Sequence, residues 1–328
     1  MNMEIRVLDR ISVTIDGVEV RLGDRKQRAV LGILALDRGW VEKGRLASLV
    51  WDLDRGPQNP DAQIQGYLKG IRKAFDEAVP GSSRLITTLR GVGYQLEIGA
   101  ASVDYLRFRE LAALAAAAGL EDPEAAVRFG RKALAEWGDS TGVRGRMPLE
   151  AAEPPLENLA EAMRQEYQVA LMACLHAEMA RGRHKELIPE LARLAGHDSY
   201  GAENEELARI RMLAYHRAGE GGRAYEVFDR LRHTLVKAFG SDPTKETSQL
   251  KDQIIKDDPA LLLPETAEKE EENDVNPEGT ADPAVEVEQE EPEPEGRERP
   301  RFMQRADNGQ HNKFFQSETL NYNERDEV

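Results

Sequence analysis

The stretch Leu89-Arg90-Gly91-Val92-Gly93-Tyr94-Gln95-Leu96 limits what this chain can fold into more than any other. Two glycines around one small apolar residue allow positive φ at a tight tip and close approach of another backbone. The β-prone Leu85-Ile86-Thr87-Thr88, which follows Pro80-Gly81, leads into that tip, and Tyr94 to Ile98 forms the return strand. The result is a β-hairpin with a cation, Arg90, at its end. Such a tip needs an apolar body behind it.

That body is written in the preceding residues. Asn59-Pro60 is a cap followed by proline at the first helical position, and it opens a helix expected to run to about Phe75. At 100° per residue, Ile64, Tyr67, Leu68, Ile71 and Phe75 fall on one face, while Ala62, Gln65, Gly66, Lys69 and Lys73 fall on the other. The first face must pack inward. The second, small at its start and cationic further on, suits a helix lying in the major groove of a duplex, with amide and lysine groups reaching base edges or phosphates. Taken alone it also fits an ordinary solvated face; the strands before it and the hairpin after it favour the groove.

Residues 3–22 alternate with the period of half-buried strands. Ile11, Val13 and Ile15 share a face, Asp16-Gly17 is a hairpin-turn dipeptide, and Val18, Val20 and Leu22 lead the return. Asp24 then stands at a helix N-cap position, with Ala29, Val30, Ile33, Leu34 and Leu36 as the apolar stripe and Gly39 as the stop. A second short helix carries Leu46, Leu49, Val50 and Trp51.

Charge divides the chain into three. Residues 1–98 carry +2, residues 99–263 carry −5, and residues 264–328 carry −13 of the total of −16. The overall acidity therefore says little against nucleic-acid binding by the first block. Glutamate blocks such as Glu270-Glu271-Glu272 give the last segment too little apolar surface to offset the entropy of ordering it, so a disordered acidic tail is expected. Its aromatics, Phe302, Phe314, Phe315 and Tyr322, fit either a docking motif or unbound chain. One cysteine, Cys174, excludes an internal disulfide. No apolar run approaches the ~20 residues of a membrane span, and the N-terminus lacks a signal-like segment. A cytoplasmic protein without membrane contact is expected.

Leu22 to Leu31, the Trp51 region, Gln65 to Lys73 and Arg90 to Tyr94 together resemble the OmpR-type winged helix that opens the Streptomyces antibiotic regulatory proteins (SARPs). Val103-Asp104-Tyr105-Leu106-Arg107-Phe108, Ala133 to Gly138, Arg181 to Leu191 and Gly240 to Glu246 resemble the bacterial transcriptional activator domain (BTAD), a TPR-like all-helical module. The similarity runs from about residue 4 to 260. Gly70 stands where similar proteins carry an arginine, and with Gly66 it lowers helix propensity by roughly 1 kcal/mol per position. The connection His197-Asp198-Ser199-Tyr200-Gly201 lacks the family's usual proline-leucine-arginine pattern.

From Val103 to Leu263 successive apolar stripes mark helices: Leu156, Leu159, Met163, Tyr167, Ala170 and Cys174; Leu207, Ile210 and Ala214; Tyr225, Phe228, Leu231 and Leu235. Gly182, Gly219 and Gly221-Gly222 separate them, as in a short solenoid that binds rather than catalyses. Histidines 176, 184, 197, 216 and 233 lack metal-ligand spacing, and no phosphate-cradling Gly-Lys-Ser/Thr loop occurs. No enzyme activity, cofactor or metal is expected.

The expected fold is thus mainly α with a small β part: a winged helix-turn-helix over 1–98, a TPR-like helical domain over 99–263 and the tail over 264–328. The expected function is sequence-specific activation of transcription, with double-stranded DNA contacted by Gln65, Lys69, Arg72, Lys73 and Arg90. By the resemblance, Asp52 and Asp54 between helices two and three face RNA polymerase; a plain solvated turn is the other reading. Self-association as a homodimer, or side by side on DNA, and control of secondary-metabolite genes are likewise implied by resemblance. A rival reading is an adaptor whose solenoid binds a protein partner and whose winged helix no longer binds DNA.

Overall fold

The computed structural model describes residues 1–52, 56–138, 147–151, 155–196 and 203–263, all within one compact unit. Asp54, the 197–201 connection and the acidic tail lie outside the described residues.

The chain opens with β1 (Met3–Arg6), β2 (Ser12–Ile15) and β3 (Val18–Glu19), an antiparallel sheet in that order. Ile11, Val13 and Ile15 are buried as their alternation requires, and Asp16 (φ 48°) with Gly17 (φ 83°) turns β2 into β3, pairing Ile15 with Val18. Helix α1 (Arg25–Leu36) starts at Asp24, whose carboxylate accepts the Gln27 amide at 2.8 Å. It ends three residues before Gly39: Asp37 is already extended and its carboxylate accepts the Gly39 amide at 3.1 Å, so the stop is a local side-chain bond and not the glycine. A two-residue strand that the sequence pattern did not mark, β4 (Val41–Glu42), precedes α2 (Lys43–Val50). Helix α3 (Pro60–Ala78), capped by Asn59 on the Ala62 amide at 3.0 Å, runs almost a turn past Phe75. The hairpin β5 (Ile86–Leu89) and β6 (Gly93–Leu96) closes the module, and β4 joins it in the order β4-β6-β5.

Among the described residues seven α-helices follow: α4 (Asp104–Ala118), α5 (Pro123–Ala135), α6 (Leu156–Ala180), α7 (His184–Ala195), α8 (Glu205–Arg217), α9 (Gly221–Phe239) and α10 (Lys245–Ile255). The stripes on α6 and α8 pack inward. On α9 the expected stripe shifts: Ala224, one residue earlier, takes the buried place and leaves Tyr225 half exposed at 52%, while Phe228, Leu231 and Leu235 are buried. Cys174 packs against the bare Gly130 backbone, and burial pushes its thiol up to about 11. Such a thiol is inert at neutral pH.

The two modules share one core. Ile5 of β1 bridges Val103 in parallel, and the buried Asp104 carboxylate accepts the amides of Val7 (2.9 and 3.1 Å), Leu8 (3.3 Å) and Tyr105 (2.8 Å). A second tie comes from Met147 to Ala151. Leu149, fully buried with φ 62°, donates its amide to the Val7 carbonyl at 2.7 Å and lies against Gly32 of α1, where a β-carbon would sit 3.0 Å from its Cδ2. Beside it, Glu150 pairs with Arg28 at 2.6 Å, and its carbonyl accepts from Arg25.

Burial pushes the Asp104 carboxyl up to about 6, against the downward pull of its three amide donors and of Arg107. The folded state therefore holds a proton more tightly than the unfolded chain. Stability from this group is fully present below about pH 4 and falls as pH rises through about 6, by a total on the order of 3 kcal/mol. Thermal unfolding between pH 4 and 6.5 is expected to show this decline, and Asp104→Asn to flatten it. Asp104→Ala strands buried amides and is expected to cost about 3 kcal/mol, a fall in Tm of roughly 10 °C in calorimetry.

Candidate nucleic-acid interface

Helix α3 has two unlike sides. Ile64, Leu68, Ile71, Ala74 and Phe75 are buried, and Tyr67 stacks on Trp51 with ring centroids 6.2 Å apart. Ala62, Gln65, Gly66, Lys69 and Lys73 are exposed, and a β-carbon added at Gly66 would meet nothing within 4 Å. Lys73 makes only a loose pair with Glu77 at 3.5 Å, both side chains well exposed, which holds neither charge firmly.

The hairpin lies alongside this helix. Arg72 donates through Nε and Nη2 to the Ile86 carbonyl (3.2 and 2.9 Å) and through Nη2 to Thr88 Oγ1 (2.7 Å), tying α3 to β5. Of the five residues singled out for DNA, Arg72 thus has its guanidinium engaged within the protein, and Gln65 makes a side-chain hydrogen bond to the Tyr94 hydroxyl. Arg90 stands exposed at the tip beside Gly91, whose φ is +80°. Gly93 does not have the positive φ the sequence allowed at the tip. It is needed for close approach: a β-carbon there would lie 1.9 Å from the Val41 carbonyl oxygen in the β4–β6 pair. Tyr94, buried between hairpin and helix, has its hydroxyl pushed above the ordinary value by burial and by Asp61 of α3.

Gly70 faces α1 and not the open side. Gln27 Nε2 donates to the Tyr67 carbonyl at 3.1 Å, and a β-carbon at residue 70 would come within 2.3 Å of that nitrogen. A side chain there would have to displace Gln27. Gln27 escaped the sequence reading because forty positions separate it from Tyr67.

Asp52 is exposed just after α2. Behind it Trp51 is buried, with Lys26 Nζ 5.5 Å from its ring centroid. Among the described residues no group of three His, Cys, Asp or Glu is placed to hold a metal ion, and no helix is long and apolar enough to cross a membrane. His176 pairs with Glu206 at 3.1 Å, and burial lowers the His184 pKa.

Strands, three helices and a hairpin with a cationic tip, continued into a helical array, define a winged-helix protein with an appended helical module. Comparison with known proteins gives the family. Residues 17–96 match the family "Transcriptional regulatory protein, C terminal", and residues 103–255 match "Bacterial transcriptional activator domain". Regulatory protein DnrI of Streptomyces peucetius is 28% identical over 79% of this chain and 94% of its own length. Transcriptional regulatory protein EmbR of Mycobacterium tuberculosis is 29% identical over 78% of this chain, which spans 64% of that relative. Regulatory protein AfsR of Streptomyces griseus is 26% identical over 74% of this chain, which spans 23% of it. A solved structure of Mycobacterium tuberculosis EmbR in complex with a low-affinity phosphopeptide superposes with a TM-score of 0.69 at 28% identity, over 79% of this chain and 66% of that one. The chain belongs to the SARP-type transcriptional regulators, an OmpR-type winged helix joined to a bacterial transcriptional activator domain.

The glycines of the site separate by measurement. Gly66→Ala is expected to raise stability by about 1 kcal/mol, since it gains helix propensity and meets nothing. Gly93→Ala is expected to cost about 2 kcal/mol or more, because two backbones must part. Denaturant midpoints of the two variants check both signs.

Proposed function

We propose that this protein binds promoter DNA in a sequence-specific manner and activates transcription, with α3 in the major groove and the β5–β6 tip on the adjacent backbone or minor groove. The observation that carries the reading is the open side of α3. A helix whose apolar half is buried leaves a strip of small, amide and cationic side chains facing outward, next to a hairpin carrying Arg90.

The roles divide by chemistry. Gln65, near the start of the helix, has the amide geometry to read a base edge. Lys69 and Lys73 neutralise phosphates, and Arg90 reaches a phosphate or the minor groove wall. Arg72 contributes by holding the hairpin at a fixed angle to the helix, so its part in DNA contact is largely positional. Asp52, exposed after α2, belongs to the surface proposed to meet RNA polymerase, together with Asp54. Residues 99–263 would support self-association or side-by-side binding, and residues 1–98 the duplex.

Selection from a random duplex pool tests the reading. The full chain is expected to enrich a recurrent sequence; enrichment of none would favour the adaptor. On the selected site, Lys69→Ala with Arg90→Ala is expected to weaken binding at all sequences and to lower the slope of log affinity against log salt by about 2, one per lost phosphate contact. Gln65→Ala is expected to change base preference with the slope unaltered. An unchanged affinity in the double variant would remove the site assignment.

A further inference from the structure

Between α7, α8 and α9 lies a cleft with about 100 Å3 of free volume, remote in sequence from α3 and the hairpin. Ala192, Leu207, Val227 and Leu231 give it apolar walls, and two arginines line it, Arg211 from α8 and Arg230 from α9. Among the described residues no carboxylate lines it. Among the described residues the Nε of Arg211 is sealed from solvent without a hydrogen-bond partner, while the side chain is hydrogen-bonded to the Tyr215 hydroxyl.

Four other arginines of the helical array have acceptors within it. Arg131 is held by Glu178 (2.6 Å) and Glu190 (2.7 Å), Arg232 by Asp242 (2.7 Å), Arg209 by Thr247 (3.0 Å), and Arg217 by the carbonyls of Leu261 and Met179. The acids at the start of α8 are engaged elsewhere, Glu206 by His176 and Glu205 by Thr244 and Thr247. Burial and the like charge of Arg230 hold the Arg211 guanidinium below the ordinary arginine value, and only the Tyr215 hydroxyl acts against them. Asn204, the cap of α8, also lines the cleft, so the positive end of that helix adds to the same field.

Arg211 is partly buried and Arg230 exposed; two like charges lining one cleft, with no carboxylate among the described residues between them, repel each other and favour an anion that joins them. Their arrival from two helices asks for acceptor oxygens in several directions, which a tetrahedral oxyanion has and a planar carboxylate lacks. We propose that this cleft binds phosphate or a phosphate ester, clamped between Arg211 and Arg230. The site is independent of the DNA-facing surface. Free phosphate and a phosphorylated side chain share the required chemistry.

The test uses the full chain without DNA. Tm is measured in potassium phosphate and in potassium chloride of equal ionic strength, and binding of inorganic phosphate and of a capped phosphoserine tripeptide is measured by calorimetry. Phosphate at a hundredfold its Kd is expected to raise Tm by about 4 °C or more over chloride. Arg230→Gln, an exposed side chain whose loss does not threaten folding, and Arg211→Gln are each expected to weaken phosphate binding about tenfold or more. A phosphoserine peptide that binds tenfold tighter than inorganic phosphate supports the site with a phosphorylated partner segment as its source; equal or weaker binding supports it with the free ion. The absence of a phosphate-specific shift, or an undiminished shift in both arginine variants, would overturn the proposal.

Discussion

The interaction on which the rest of the structure depends is the seam where β1 meets the start of α4. Asp104 takes the amides of Val7 and Leu8, which would otherwise be buried without acceptors at the end of the first strand, and Ile5 bridges Val103 in the same place. Because the carboxylate sits at the first residue of α4, it also caps its own helix end through Tyr105. Across the strand Leu149 fills the space over Gly32 and returns an amide to the Val7 carbonyl. The winged helix thus shares its interior with the first helices of the array, one apolar cluster running from Met3 to Ala214 of α8, while α8, α9 and α10 enclose a second.

That shared interior explains which side of the winged helix remains open. Its sheet and α1 are covered by the α4 seam and the Leu149 segment, and α3 packs its apolar half on α1 and α2, so among the described residues the polar half of α3 is left exposed. The geometry of that half is held by ties made far from it. Arg72 fixes the hairpin to the helix, Gln27 fills the space that Gly70 leaves, and Gly93 lets β4 draw close enough to β6 to brace the hairpin from behind. A hairpin held at both its strands presents Arg90 in a definite direction.

Much of this was legible in the chain because it is local. Asn59-Pro60, Asp24 and Asp16-Gly17 act on residues within four positions, and the 3.6-residue stripe of α3 separates its two sides without knowledge of any partner. What escaped was long-range. Two-residue β4 has too few positions to show alternation, Glu150 meets Arg28 across 122 positions, and nothing near Asp104 marks it as the acceptor for Val7. Tyr225 misled because periodicity alone gives the side of a helix only to within about one residue, and the smaller Ala224 fitted the buried place. Gly70 stands where similar proteins carry an arginine, and only the structure shows that it faces Gln27. Of the five residues assigned to DNA, Gln65, Lys69 and Lys73 came from the same local periodicity and Arg90 from the hairpin tip.

The most direct measurement exploits the chain's single cysteine, which is buried and inert. A Lys73→Cys variant carries one accessible thiol, near the exposed C-terminal part of α3, to which an iron-chelate cleavage reagent can be tethered. If α3 lies in the groove, strand cuts on a selected site will be confined to a few base pairs within it and will vanish with excess unlabelled site. Cuts spread evenly along the fragment, with the protein bound, would contradict the account.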